Sequence, residues 1–216
     1  MSTKLNLRIH EVKCVDETGG FFGEFLSDEI YLGGFAINNN NATQQINAFH
    51  VKSDFDDGET KKYDPPKVFA SFPLDNNFSD VRQYAAGLVL VEKDQGNLTA
   101  LLTGLYNKFK AAVAEKVASE KIRLQKLAEL RRSSSMVATS IIVGLVWPYI
   151  KSQVYTFVLD TVRGWLADDV FPLQDVMISI HGSNHTWNGK KTSPLQMLEF
   201  SAHDGTYRVF YSWEIV

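Results

Sequence analysis

Eight short apolar-rich runs bounded by turn residues, interrupted once by about seventy residues in which apolar positions recur every three to four, constrain this chain more than any other feature. The runs are LNLRIHEVKC (5 to 14), EIYLGGFAI (29 to 37), 46 to 53, KVFASFPL (67 to 74), QYAAGLVLVE (83 to 92), QDVMISIH (174 to 181), 195 to 202 and TYRVFYSWEI (206 to 215). Their β-branched and aromatic content, bounded by Gly, Asn, Asp and Pro, predicts strands. Eight such strands predict an antiparallel β-sandwich. The break in alternation between Ile9 and Val12 predicts a bulge.

The interruption lies between the fifth and sixth runs. Leu98, Leu101, Leu102, Leu105, Phe109, Ala112, Val113, Val117, Leu124, Leu127 and Ala128 fall on one helical face, with Lys and Glu opposite. Asn97 or Thr99 is placed to cap its start. A second helix is expected from Ser133 to Ala167, opening on the apolar stretch MVATSIIVGLVWPYI (136 to 150). The chain therefore divides into a mainly β domain, 1–96 and 168–216, carrying a long helical hairpin inserted at 97–167.

Bulk properties narrow the function. A net charge of -3 and a pI near 6.0 lack the basic balance of a nucleic-acid-binding module, so no nucleic acid is expected. Cys14, the single cysteine, allows no intrachain disulfide and reads as a small core residue. The opening MSTKLNLRIHEVK has no continuous apolar stretch of a secretory signal. The expectation is a cytoplasmic protein, or one exported by a route that needs no signal peptide.

In an up-and-down sandwich alternate loops share one end, and carboxylates crowd into those loops. Asp28, Asp54, Asp56, Asp57, Glu59, Asp94, Asp168 and Asp169 are the candidate ligands of a calcium ion, which takes six to eight oxygens. The competing explanation is turn chemistry, because DDG and KDQG are also what tight turns need. The loops at the other end, NNNNATQQ (38 to 45), DNNFSD (75 to 80) and GSNHTWNGKK (182 to 191), are mostly uncharged.

The order SDEIYLGG, DFDDGE and LVLVEKDQGN resembles the layout of C2-type sandwiches, in which an SDPY-like segment and a D-x-D loop hold calcium. Glu29 and Ile30 depart from the Pro-Tyr of that pattern. The resemblance implies a C2-like fold over 5 to 96 and 170 to 216. The longer string FLSDEIYLGGFA, FDDGE, YDPPKVFASFPL, LVLVEKDQGN, ADDVFP and HDGTYRVFYSW is similar to bacterial secreted or injected effector-type proteins with a helical insertion, including contractile injection system cargo.

Phe21, Phe22 and Phe25, in a loop at the acidic end, and Ile141, Ile142, Val143, Leu145 and Trp147, in the apolar helix, are the candidate membrane contacts. The alternative for the phenylalanines is packing beneath their own loop or against the helical insertion, and for the apolar helix burial in the core or at an oligomer interface, since a spanning helix needs about 20 apolar residues and Lys151 cuts this run short. His181 and His185 flank GSN without a third metal ligand in sequence reach. No nucleophile elbow, P-loop or dinucleotide fingerprint occurs, so no catalytic residue is assigned, although an acidic cluster leaves a hydrolase open. The leading expectation is a non-enzymatic effector or toxin-like protein that docks on membrane lipid or a partner with calcium. The alternative is a structural or interaction protein, such as an injection-system cargo or adaptor, whose hairpin is permanently packed and whose acidic end meets a basic protein surface.

Overall fold

The computed structural model describes residues 3–17, 29–75, 78–93, 97–130, 143, 144, 147–153, 169–202 and 204–216. The chain is mainly β. In order it forms β1 (Lys4–Asp16), β2 (Glu29–Ile37), β3 (Thr43–Ser53), β4 (Thr60–Pro73), β5 (Val81–Lys93), helix α1 (Leu98–Leu130), β6 (Asp169–Val170), β7 (Gln174–His181), β8 (Gln196–Ala202) and β9 (Gly205–Ile215). Residues 147–153 are also helical.

Among the described residues the strands make two antiparallel sheets. One runs β4-β1-β9-β8 and the other β3-β2-β5, with β6 and β7 both on the far edge of β5. β7 pairs with Val81 to Leu88 and β6 with Val91 and Glu92, so the two occupy one strand position. The interruption is Phe171-Pro172-Leu173. Phe171 joins the core between the sheets and Leu173 the core on the opposite face, while the Phe171 N–H still donates to Leu90 at 3.0 Å. Each sheet is thus four strand positions wide. The expected bulge in β1 is present, as a register shift between Ile9 and Glu11 against both neighbours.

The two sheets face each other across one apolar cluster. Leu5, Leu7, Ile9, Val12 and Cys14 alternate inward from β1, and Tyr207, Val209, Tyr211, Trp213 and Ile215 do so from β9. Phe72 links the sheets, with its ring 6.2 Å from Trp213 and 5.2 Å from Tyr84. Burial pushes the Cys14 thiol up to about 12, which fits the inert core cysteine expected.

β2 and β5 are buried on both faces, and a strand of that kind demands a covering layer. α1 supplies it. Asn97 Oδ1 accepts the Ala100 N–H at 3.1 Å and caps the helix, as the sequence predicts. Leu98, Leu101, Leu102, Leu105, Phe109, Ala112 and Val113 are then buried over β2 and β3, together with Phe35, Val143, Trp147 and Ile150. Close approach depends on Gly33, where an added Cβ would lie 2.8 Å from Leu102 Cδ1. From Ala118 to Lys126 the helix is mostly exposed, and Glu120 pairs there with Lys116 and Arg123.

One stretch of strand escapes the sequence pattern. β4 begins at Thr60, well before the expected Lys67, and runs through Asp64-Pro65-Pro66. Proline is tolerated because β4 is the outer strand of its sheet, paired on one side with β1.

Candidate functional site

Strand register brings the acidic loops to one end. Glu29 lies opposite Ser53 and Lys93, Glu92 opposite Asp169, Lys13 opposite Thr60 and Asp16 opposite Thr206. The segments that follow β1, β3, β5 and β8 therefore leave from a common end. The loop between β2 and β3 and the segment after β7 leave from the other.

Of the candidate calcium ligands, Asp54, Asp56, Asp57 and Glu59 are described with their side chains. Asp28, Asp94 and Asp168 lie outside the described residues, and Asp169 is described by its backbone in β6. The DFDDGE loop is built around Phe55, which is buried with its ring 5.8 Å from Tyr207. Anchoring Phe55 turns the neighbouring carboxylates outward, and Asp54 takes φ 48° while Gly58 takes φ 78° to make the bend.

The loop's own bonds then use part of its charge. Lys52 Nζ pairs with the Glu59 carboxylate and donates to the Asp54 carbonyl at 3.1 Å. The same carboxylate accepts the Asp56 N–H at 3.0 Å. Chiefly through the Lys52 hydrogen bond, the Glu59 carboxyl is held below its usual range against an opposing effect of burial. Asp57 Oδ1 accepts the Glu17 N–H at 2.7 Å, tying this loop to the end of β1. Gly58 N–H donates to Cys14 O at 3.1 Å and Cys14 N–H to Glu59 O at 3.0 Å. Asp54, Asp56 and Asp57 remain exposed. Among the described residues no three His, Cys, Asp or Glu side chains gather into a metal-binding group.

Lys52 is the residue that sequence reasoning overlooks. Its signal was available: it is next to last in the strand before the acidic loop, seven positions from Glu59, so a short hairpin brings the two together.

The candidate membrane contacts divide in the same way. Phe21, Phe22, Phe25, Ile141, Ile142 and Leu145 lie outside the described residues. Val143 is 1% exposed and Trp147 is 4% exposed, both within the cluster between the helical layer and the sheet. Phe35 and Phe109 stack at 4.3 Å, and Trp147 meets Phe109 edge-on at 6.1 Å. Polar bonds fix the same helical residues. Trp147 Nε1 donates to Asp175 at 2.8 Å, Lys151 pairs with Asp175, Gly144 N–H donates to Gln83 at 2.9 Å and Tyr149 O–H to Glu115 at 2.8 Å. For Val143 and Trp147 to touch lipid, these bonds and the ring cluster must come apart. Among the described residues no helix is long and apolar enough to cross a membrane.

The opposite end holds Trp187 and the two histidines. Trp187 packs partly buried against the inter-sheet core, as expected of a loop anchor, and closes a two-residue turn with Lys190 through reciprocal bonds of 2.8 and 3.0 Å. Asn188 and Gly189 take φ 52° and 78°, the paired positive values that such a hairpin turn requires.

Comparison with known proteins gives no match to a family model, to a curated protein or to a solved structure.

Proposed function

We propose that this chain is a non-enzymatic interaction protein, a C2-like sandwich whose helical insertion is a permanent third layer and whose acidic end docks on a basic protein surface. The observation that carries this reading is the burial of Phe109 and Trp147 against Phe35 on the outer face of β2 and β5. Aromatic burial of that kind is worth about 2 to 3 kcal/mol for each ring, and a hairpin held so is a poor candidate for swinging into a bilayer. The C2-like assignment is supported by β1 lying between β4 and β9 in one layer and β2 between β3 and β5 in the other. The insertion between β5 and β6 is supported by α1 and the helical residues 147–153. Exposure of Asp54, Asp56 and Asp57 beside an internally neutralised Glu59 supports a docking face that needs no ion.

A second reading, a calcium-dependent membrane-docking effector, is favoured by the register that collects the acidic loops at one end. In it the carboxylates hold calcium and the phenylalanines of 21 to 25 meet lipid. Its bacterial, injected character rests on the sequence resemblance. Calcium titration by calorimetry, with thermal melts in chelator and in millimolar calcium, separates the two. The interaction reading expects no saturable heat and an unchanged melting temperature. A saturable heat with a raised melting temperature, which linkage demands of any ion bound by the native state, overturns it.

A further inference from the structure

The segment after β7 carries an uncompensated histidine. The His185 ring lies 5.9 Å from His181 in a stacked arrangement and 4.7 Å from Trp187 with the ring planes nearly perpendicular. Its Nδ1 accepts the His181 N–H at 3.4 Å. An acceptor there must be unprotonated, so the neutral ring carries its hydrogen on Nε2. Nε2 is shut off from solvent and has no hydrogen-bond partner among the described residues.

A second proton on this ring has nowhere favourable to go. It must be added at Nδ1, where it meets the His181 N–H head-on and abolishes that bond. The charge so formed is repelled by His181 and Lys191. Lys190, in the same hairpin, adds no acceptor. The neighbouring segments offer carboxylates that are already engaged. Asp75 and Asp80 both pair with Arg82, at 2.6 and 3.3 Å, and Glu214, opposite Thr192, pairs with Arg8. The Trp187 ring offers a cation weak compensation.

We infer that the segment 182–192 is a pH-sensitive clasp, closed while His185 is neutral and released when His185 takes a second proton, freeing Trp187 from the inter-sheet core. Release of this segment is local. It breaks the Ser183 N–H bond to Phe78 O, the weak His181 bond, the seat of Trp187 and, at the far end, the 2.9 Å bond from Ile215 N–H to Lys191 O, while the β7 pairing to β5 stays in place.

The direction of the linkage follows from burial, which lowers the pKa of His185 below the ordinary histidine value, with the His181 and Lys191 charges acting the same way. A depressed histidine binds its proton better in the open state, so the closed state is fully favoured above about pH 6.5 and loses ground as pH falls below it.

Amide hydrogen exchange of residues 182–192 in the intact protein, corrected for intrinsic exchange chemistry, tests this. Between about pH 7.5 and about pH 5.5 the wild-type segment loses protection by a factor of up to about ten, the ceiling set by one pH unit below the free histidine value, and His185→Gln loses none. A wild-type change below about two-fold, or an equal loss in His185→Gln, overturns the clasp. Titration of the His185 ring by NMR in the wild type keeps the test decisive if the variant segment is already open. A midpoint below that of a free histidine, about 6.5, supports the clasp, and one at or above it overturns it.

Discussion

The outer faces of the two sheets have opposite characters. On the β4-β1-β9-β8 sheet the outward positions are Asn6, Arg8, His10, Glu11 and Lys13 of β1 and Arg208, Phe210, Ser212 and Glu214 of β9, polar but for Phe210, and Arg8 pairs with Glu214, His10 with Ser212 at 2.8 Å and Arg208 with Glu199 at 2.9 Å. On the other sheet the outward positions are Phe35 and Ile37 of β2 and Ala85, Val89 and Val91 of β5, all buried beneath the helical layer. One sheet is finished by polar side chains, from the buried Asn6 and Ser212 to the exposed Arg208–Glu199 pair. The other is completed by an apolar layer that, among the described residues, holds seventeen buried side chains shared with the helices. The helices and this sheet therefore depend on each other for folding, because neither apolar surface is tolerable in water alone.

Four substitutions, one of them a reference, break or sharpen that contrast. The largest effect is expected from Trp147→Ala, which empties the site beside the stacked Phe35 and Phe109 rings and removes a donor from Asp175, at a cost of about 3 to 5 kcal/mol in unfolding free energy. Phe210→Ala, on the outer face of the other sheet, is its reference and should cost far less. Equal shifts in denaturant midpoint for the two would mean that the helical layer contributes little to the fold.

An intermediate effect is expected at Gly87. It lies opposite Phe35, and an added Cβ would come within 2.5 Å of Phe35 Cε2 and 3.1 Å of Leu173 Cδ1. Gly87→Ala should cost about 1 to 3 kcal/mol by overpacking, read as a lowered melting temperature. An unchanged melting temperature would show that the ring cluster shifts freely. The smallest effect is expected at Arg208→Gln, which removes one exposed pair from the polar face and should cost no more than about 1 kcal/mol, diminishing further in high salt. A larger loss would show that this face is an organised network rather than a solvated surface.

Much of this contrast was legible in the chain. QYAAGLVLVE has apolar or small residues at nearly every position, whereas TYRVFYSWEI places Arg and Glu among its outward positions. The first pattern belongs to a strand covered on both sides and the second to one with a wet face. The start of α1 and the bulge after Ile9 were equally plain, since both follow from side chains adjacent in sequence. β4 was half hidden because Lys61, Lys62, Asp64, Pro65 and Pro66 carry no alternation, and an edge strand needs none.

The candidate sites were less legible. Carboxylate density suggested an ion site in DFDDGE, yet the charge balance of that loop turns on Lys52, which the hairpin folds back onto Glu59. His181 and His185 looked like an incomplete metal pair. Their actual relation, one backbone N–H donating into the other ring, is a property of the turn after β7 rather than of residue type.

By itself the sequence determined the periods, and therefore which segments are strands, which is helix, and that loops of one parity carry the negative charge. It did so because side-chain alternation and helical spacing are local consequences of backbone geometry. Only the tertiary structure decided that the helical layer lies on the β3-β2-β5 sheet, that Trp147 and Val143 face protein, that Lys52 neutralises Glu59 and that His185 is left with a buried, unpartnered nitrogen. Those outcomes depend on which groups from distant segments meet and whether each buried polar atom finds a partner, and long-range contact of that kind is not written in any one stretch of chain.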